Sequence, residues 1–67
     1  MFDNEKLVKL LSDKHMTVYR LYKLTDLAQP ALRRLYSGEA TDPTYKTVAK
    51  IADVLGVSMD EFRRKVN

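Results

Sequence analysis

The chain has 67 residues, with 12 Lys and Arg, 9 Asp and Glu, one His and no Cys, giving a formal net charge of +3. This length fits one small domain, and the lack of cysteine excludes both a disulfide framework and a thiolate metal site. No run reaches the roughly 18 apolar residues of a membrane span, and Asp3 and Glu5 stand where a signal peptide would be basic, so we expect a cytoplasmic protein.

The first two predicted helices and the turn after them lie in the N-terminal part of the chain. Asp3 is a good N-cap for a helix that runs to about Lys14, with leucines three and four residues apart on one face. Thr17 is a good N-cap for a second helix that runs to about Leu24. A turn follows at residues 25–27, where Asp26 tolerates a left-handed backbone better than most residues.

The third predicted helix begins near residues 28–30 and carries an adjacent pair of arginines. A proline is accepted in the first turn because its missing N–H would be unpaired there. Gly38 suits the position just past the C-terminus. The helical leucines face the core, and Arg33 and Arg34 flank that face.

Two further helices are predicted in the C-terminal part. One opens at Asp42-Pro43, with Thr44 as the competing cap, and carries a clear apolar stripe. The other begins at Ser58, which pairs with Glu61 in a capping box. We therefore predict an all-α chain of five helices that forms a single domain over residues 1–67.

The excess positive charge is concentrated in residues 14–37. This segment has five basic side chains against the single acid Asp26, a charge of +4, which leaves −1 for the rest of the chain. Such a distribution favours a polyanion partner at that face. Solubility is the alternative explanation.

Apolar, capping and turn residues fall at a joint spacing over nearly the whole chain, from about Leu7 to Phe62. They are Leu10, Thr17, Leu21, Leu27, Leu32, Leu35, Gly38, Pro43, Ile51, Ala52, Leu55, Gly56, Val57, Ser58 and Glu61. This spacing resembles the phage repressor/Cro-type (Xre-type) helix-turn-helix family. The resemblance implies a compact five-helix repressor-type domain that binds DNA, with its reading unit at about residues 17–38.

The resemblance also implies which residues contact DNA. The third helix would enter the major groove, with Gln29, Pro30, Arg33 and Arg34 facing the bases. Arg34 suits guanine and Gln29 suits adenine, whereas Arg33 points about 100° away from Arg34. The residues expected at backbone phosphates are Thr17, Tyr19, Ser37, Thr41 and Tyr45.

The chain departs from this family at several positions. Val18 stands where a glutamine often binds the DNA backbone, and Glu39 stands where a lysine is common. Asp26 replaces the usual turn glycine. Tyr22 replaces an alanine at the helix crossing, so it must swing outward or spread the helices.

A further departure concerns a buried ion pair of many relatives, which becomes Leu11 and Tyr36 here. Replacing both partners of such a pair by apolar groups can be neutral or stabilising. We predict that these two side chains pack together.

The combined prediction is a bacterial or phage transcriptional regulator, and more specifically a repressor. It would bind double-stranded operator DNA as a homodimer, with half-sites about 34 Å apart. The dimer contact would involve the fifth helix and the loop before the fourth. The alternatives are the antitoxin of a toxin–antitoxin pair and a helical adaptor without DNA binding.

Catalytic and ligand-binding chemistry is not indicated by the sequence. It has no nucleophile with an adjacent base, no phosphate-cradling glycine loop and no convergent carboxylates, so we do not expect an enzyme. The lone His15 lacks partners at metal-ligand spacing. We expect no metal, no cofactor and no small-molecule ligand.

Overall fold

The fold is all-α. The computed structural model describes residues 2–63, and within them four α-helices are followed by a short 3₁₀ turn. The helices are α1 (Asn4–Asp13), α2 (Val18–Thr25), α3 (Gln29–Ser37) and α4 (Tyr45–Leu55), and the 3₁₀ turn is Met59–Phe62. None of the helices in this part of the chain is long and apolar enough to cross a membrane.

The helix ends follow the local capping chemistry. Asp3, Thr17 and Thr44 each accept a hydrogen bond from the backbone N–H three residues later, which satisfies a donor that the helix itself leaves unpaired. Thr44, and not Asp42-Pro43, is therefore the cap of α4. At the C-termini of α2 and α3, Asp26 has φ 60° and Gly38 has φ 88°.

The predicted fifth helix is wrong. Ser58 accepts from the N–H of Asp60 at 3.2 Å instead of the N–H of Glu61 that a capping box requires. The N–H of Glu61 donates to the carbonyl of Ser58 at 3.0 Å, an i to i+3 bond typical of a 3₁₀ helix.

A long-range contact explains why this segment does not continue as a helix. Arg63 is extended, with φ −83° and ψ 115°, and forms an isolated antiparallel bridge with Phe2. The N–H of Asp3 donates to the carbonyl of Phe62 at 2.7 Å. The N-terminal residues thus draw the chain out of helical geometry directly after Phe62.

The core joins all four helices and both ends of the described chain. α3 packs against α1 and α2, α4 packs against α2, and the 3₁₀ turn packs against α1 and α4. Phe2 stacks on Phe62, with ring centroids 5.1 Å apart. The buried apolar side chains are Phe2, Leu7, Leu11, Leu21, Leu32, Leu35, Ile51, Ala52, Leu55 and Phe62.

A buried asparagine ties α1 to the end of α3. Asn4 is only 9% exposed, and its Nδ2 donates to the carbonyl of Leu35 at 2.6 Å and to that of Ala40 at 2.9 Å. The first turn of α1 therefore holds both the last turn of α3 and the loop that follows it.

Candidate nucleic-acid interface

The outward face of α3 is basic. Leu32 and Leu35 are buried in the core, and at about 100° per residue the two positions between them point away from it. Arg33 and Arg34 are accordingly exposed. Because α1 and α2 hold α3 from the inner side, the two guanidinium groups are presented on a fixed helix.

A cleft of about 490 Å³ connects the N-terminus of α2 with the C-terminal half of α3. Its position brings together five of the residues predicted to contact DNA, which come from the N-terminus of α2 with its cap and from α3. Val18, Tyr36 and Glu39 also line it. The predicted contact residues in this cleft are Thr17, Tyr19, Arg33, Arg34 and Ser37.

The other predicted contact residues do not line this cleft. Gln29 and Pro30 lie in the first turn of α3, where Gln29 is half-buried and Pro30 is exposed. The carbonyl of Thr41 accepts from the N–H of Phe2 at 3.1 Å. Tyr45 lines a second cleft beside the 3₁₀ turn. Their contacts with DNA stay predictions.

The two arginines of the cleft have their donors available. Among residues 2–63, no carboxylate lies within ion-pair distance of Arg33 or Arg34; the ion pair seen there joins Lys6 and Glu61 at 3.1 Å. An arginine carries five N–H donors in a fixed fork that matches carboxylates, phosphates and guanine. Glu39 also lines the cleft and lowers its net positive charge by one.

Two hydroxyl groups of the cleft also stabilise helix ends. The Oγ1 of Thr17 accepts from the N–H of Arg20 at 3.1 Å, so its own O–H remains free to donate to an anion. Ser37 donates to the carbonyl of Arg34 at 3.2 Å and accepts from the N–H of Glu39 at 3.3 Å. Ser37 therefore fixes the end of α3.

The turn between α2 and α3 depends on a residue that sequence reasoning treated only as part of the turn. Thr25 is buried, and its hydroxyl donates to the carbonyl of Leu21 at 2.8 Å and accepts from the N–H of Leu27 at 3.3 Å. Asp26 follows in the left-handed conformation. A threonine followed directly by an aspartate is a local signal for such a turn, because both side chains can bond nearby backbone groups.

The positions that depart from the family affect this site differently. Val18 lines the cleft but offers no hydrogen bond. Tyr22 is half-buried and packs against the core, so it has not swung fully outward. Leu11 is buried, whereas Tyr36 is 41% exposed and lines the cleft; the predicted packing between them stays a prediction.

A comparison with known proteins agrees with this geometry. The family model of the Cro/C1-type HTH DNA-binding domain matches residues 6–63, which include all of α2, α3 and α4 and most of α1. A search among curated proteins gave no match. The match covers most of the chain, and the chain belongs to the Cro/C1-type helix-turn-helix DNA-binding domain family.

Proposed function

We propose that the protein is a sequence-specific transcriptional regulator of bacterial or phage type that acts in the cytoplasm as a repressor by occupying operator DNA. The observation that carries this proposal is the cleft between α2 and α3, where Arg33 and Arg34 are exposed beside the hydroxyl of Thr17, whose O–H is free to donate. Guanidinium and hydroxyl groups on two adjacent helix ends suit a polyanion whose charges are regularly spaced.

In this proposal α3 lies in the major groove, and its residues divide into base readers and backbone contacts. Arg34 donates a bidentate pair to guanine, and Gln29 pairs with adenine. Pro30 offers an apolar surface to a thymine methyl group. Arg33 binds a phosphate or a neighbouring base. The proposed phosphate contacts are Thr17, Tyr19, Ser37, Thr41 and Tyr45.

A selection experiment tests the proposal. The purified protein is incubated with random duplexes, and the enriched sequence is measured by fluorescence anisotropy at several salt concentrations. We expect one motif and an affinity that falls steeply with salt, because phosphate contacts release counterions. If no motif is enriched, the proposal is wrong.

Substitution of Arg34 distinguishes base reading from phosphate binding. Arg34→Ala should relax the preference at one base position, at a cost of about 1–3 kcal/mol in discrimination. A uniform loss over all sequences would instead make Arg34 a phosphate contact. Lys9→Ala is the matched control, since Lys9 is exposed on α1 and does not line the cleft.

We also propose that the protein binds its operator as a homodimer. The second cleft, of about 400 Å³, is formed by the segments expected at a dimer contact, and Tyr45 beside it is 77% exposed. Asp42 and Asp60 line this cleft together with Arg63. Opposite charges on one patch suit a two-fold contact, in which each copy presents the same surface.

Half-site binding tests the dimer. Asp60→Asn should weaken binding to a full operator much more than binding to a duplex with one half-site, because Asp60 lies in the 3₁₀ turn that lines the second cleft and only the full operator recruits two copies. Asp53→Asn is the matched control, since Asp53 is exposed on α4 and does not line that cleft. If Asp60→Asn weakens both duplexes equally, or neither, Asp60 does not lie at a dimer contact.

The second candidate function is an interaction protein, either an antitoxin or a helical adaptor. Val18 and Glu39 favour it, because both line the α2–α3 cleft and neither can donate to a phosphate from its side chain. An adaptor would fail to enrich a DNA motif. An antitoxin that also binds DNA would enrich one, and formation of a stable complex with a co-transcribed toxin would identify it.

A further inference from the structure

An aromatic and basic cluster on α2 extends beyond the residues assigned above. It consists of Tyr19, Tyr22 and Lys23. The two rings are tilted by 57° with centroids 5.9 Å apart. The Nζ of Lys23 lies 5.5 Å from the Tyr19 centroid and 5.6 Å from the Tyr22 centroid. Both distances are within the range of a cation–π contact.

The helix geometry explains the cluster and the position of its charge. Residues at i, i+3 and i+4 share one face of a helix, and side chains lean toward the N-terminus. The ammonium of Lys23 is therefore carried back toward the first turn of α2. Tyr19, which it contacts, also lines the cleft that holds Arg33 and Arg34, so the cluster is continuous with the proposed DNA interface.

The ammonium is held in place but keeps its charge available. In the part of the chain that the structure describes, Lys23 forms no ion pair with a carboxylate. A lysine side chain normally has much rotational freedom to lose on binding, and contact with two rings restricts that freedom beforehand. The ammonium remains accessible to a ligand, because Lys23 is exposed and the ring of Tyr19 that it contacts belongs to a residue that is 55% exposed.

We propose that Lys23, positioned by Tyr19 and Tyr22, binds a backbone phosphate of double-stranded DNA beside the α2–α3 cleft. This contact supplies on α2 the backbone anchor that the apolar Val18 cannot supply. The inference rests on the proposed function, since it requires that α3 and α2 face DNA. Lysine suits this role because it binds phosphate as a compact point charge with three donors.

The salt dependence of binding tests the Lys23 site. Lys23→Met keeps an unbranched apolar side chain and removes the charge, and Lys9→Met is the matched control on the exposed face of α1. Loss of one phosphate contact should reduce the slope of log K against log salt by about 0.9. Affinity for the selected duplex should then fall about 8-fold at about 0.1 M salt and stay unchanged on extrapolation to about 1 M. The preferred motif should not change.

A second pair of variants tests the role of the rings. Tyr22→Phe keeps both rings and should keep the wild-type slope, whereas in a Tyr22→Leu background the Lys23→Met change should cost less than in the wild type. Circular dichroism verifies that the half-buried position 22 still permits folding. An equal cost of Lys23→Met in both backgrounds would overturn the positioning by the rings.

Failure of this inference differs from failure of the proposed function. If the wild-type protein binds its motif and Lys23→Met has the same slope as Lys9→Met, only the Lys23 site is overturned. If the wild-type protein shows no salt-dependent DNA binding, the proposed function is overturned, and the Lys23 site with it.

Discussion

The buried side chain of Asn4 makes the polar contacts that fix the end of α3 against α1. Its amide donates two hydrogen bonds, to the carbonyls of Leu35 and Ala40. These two residues are separated from Asn4 by 31 and 36 positions along the chain. Asn4→Ala removes both donors and leaves two carbonyl groups facing an apolar side chain.

The expected cost follows from the surroundings of those two carbonyls. A buried polar group that loses its partner costs about 1–3 kcal/mol. The carbonyl of Leu35 keeps a weaker bond from the N–H of Gly38 at 3.4 Å, so its loss is at the lower end. We expect Asn4→Ala to reduce the free energy of unfolding by about 2–4 kcal/mol.

That loss is large for a domain of this size. A core this small supports a net stability of about 3–5 kcal/mol, so Asn4→Ala should lower Tm by about 10–30 °C. Asn4→Asp should be no milder at neutral pH, because a carboxylate has no donor and faces two carbonyl oxygens.

Thermal and urea unfolding followed by circular dichroism measure this effect. Lys9→Ala, on the exposed side of the same helix, is the control and should change stability by less than about 0.5 kcal/mol. If Asn4→Ala also stays within about 0.5 kcal/mol of the wild type, Asn4 does not fix the end of α3.

Three further predictions concern the turn, the cleft and the terminal contact. Asp26→Gly should raise the free energy of unfolding by up to about 1 kcal/mol in urea titrations, because φ is 60° at this position and glycine avoids the Cβ penalty; Asp26→Ala should not. Glu39→Gln should tighten binding to the selected duplex a few-fold at low salt, and an increase that persists at high salt would contradict the electrostatic explanation. Phe62→Ala removes the ring stacked on Phe2 and should lower the free energy of unfolding by about 3–5 kcal/mol. Circular dichroism should then show an unfolded domain, whereas Phe62→Leu should remain folded.

The starts of α1 and α2 could be predicted from the sequence because their chemistry is local. Asp3 and Thr17 each bond a backbone N–H only three residues ahead, so the cap and its partner lie in one short stretch. At α4 two local signals compete, and Thr44 is the cap instead of the predicted opening at Asp42-Pro43. The position of Gly38 after α3 is local for the same reason, since it depends on its own backbone conformation.

The long-range contacts could not be predicted in this way. Nothing near Asn4 indicates that its amide reaches two carbonyls at the end of α3, and nothing near Phe2 indicates a stack on Phe62. The fifth helix was predicted from a real local motif at Ser58. It fails because pairing with the N-terminus overrides that motif.

The candidate site was predictable where it depends on helical period and not where it depends on assembly. Leucines at positions 32 and 35 require that Arg33 and Arg34 point outward, and they do. The meeting of Tyr19 with Arg33 in one cleft requires the angle between two helices. That angle depends on the packing of α2 against α3, of α3 against α1 and of α2 against α4, which no local motif specifies.

The most direct test of a DNA-reading function compares two duplexes in one titration series. The selected sequence and a scrambled duplex of equal length and composition are titrated with the protein by anisotropy from about 50 to about 200 mM salt. We expect the selected duplex to bind at least about 10³-fold more tightly, with both affinities falling as salt rises. Equal affinities for the two duplexes at every salt concentration would show that the protein does not read DNA sequence.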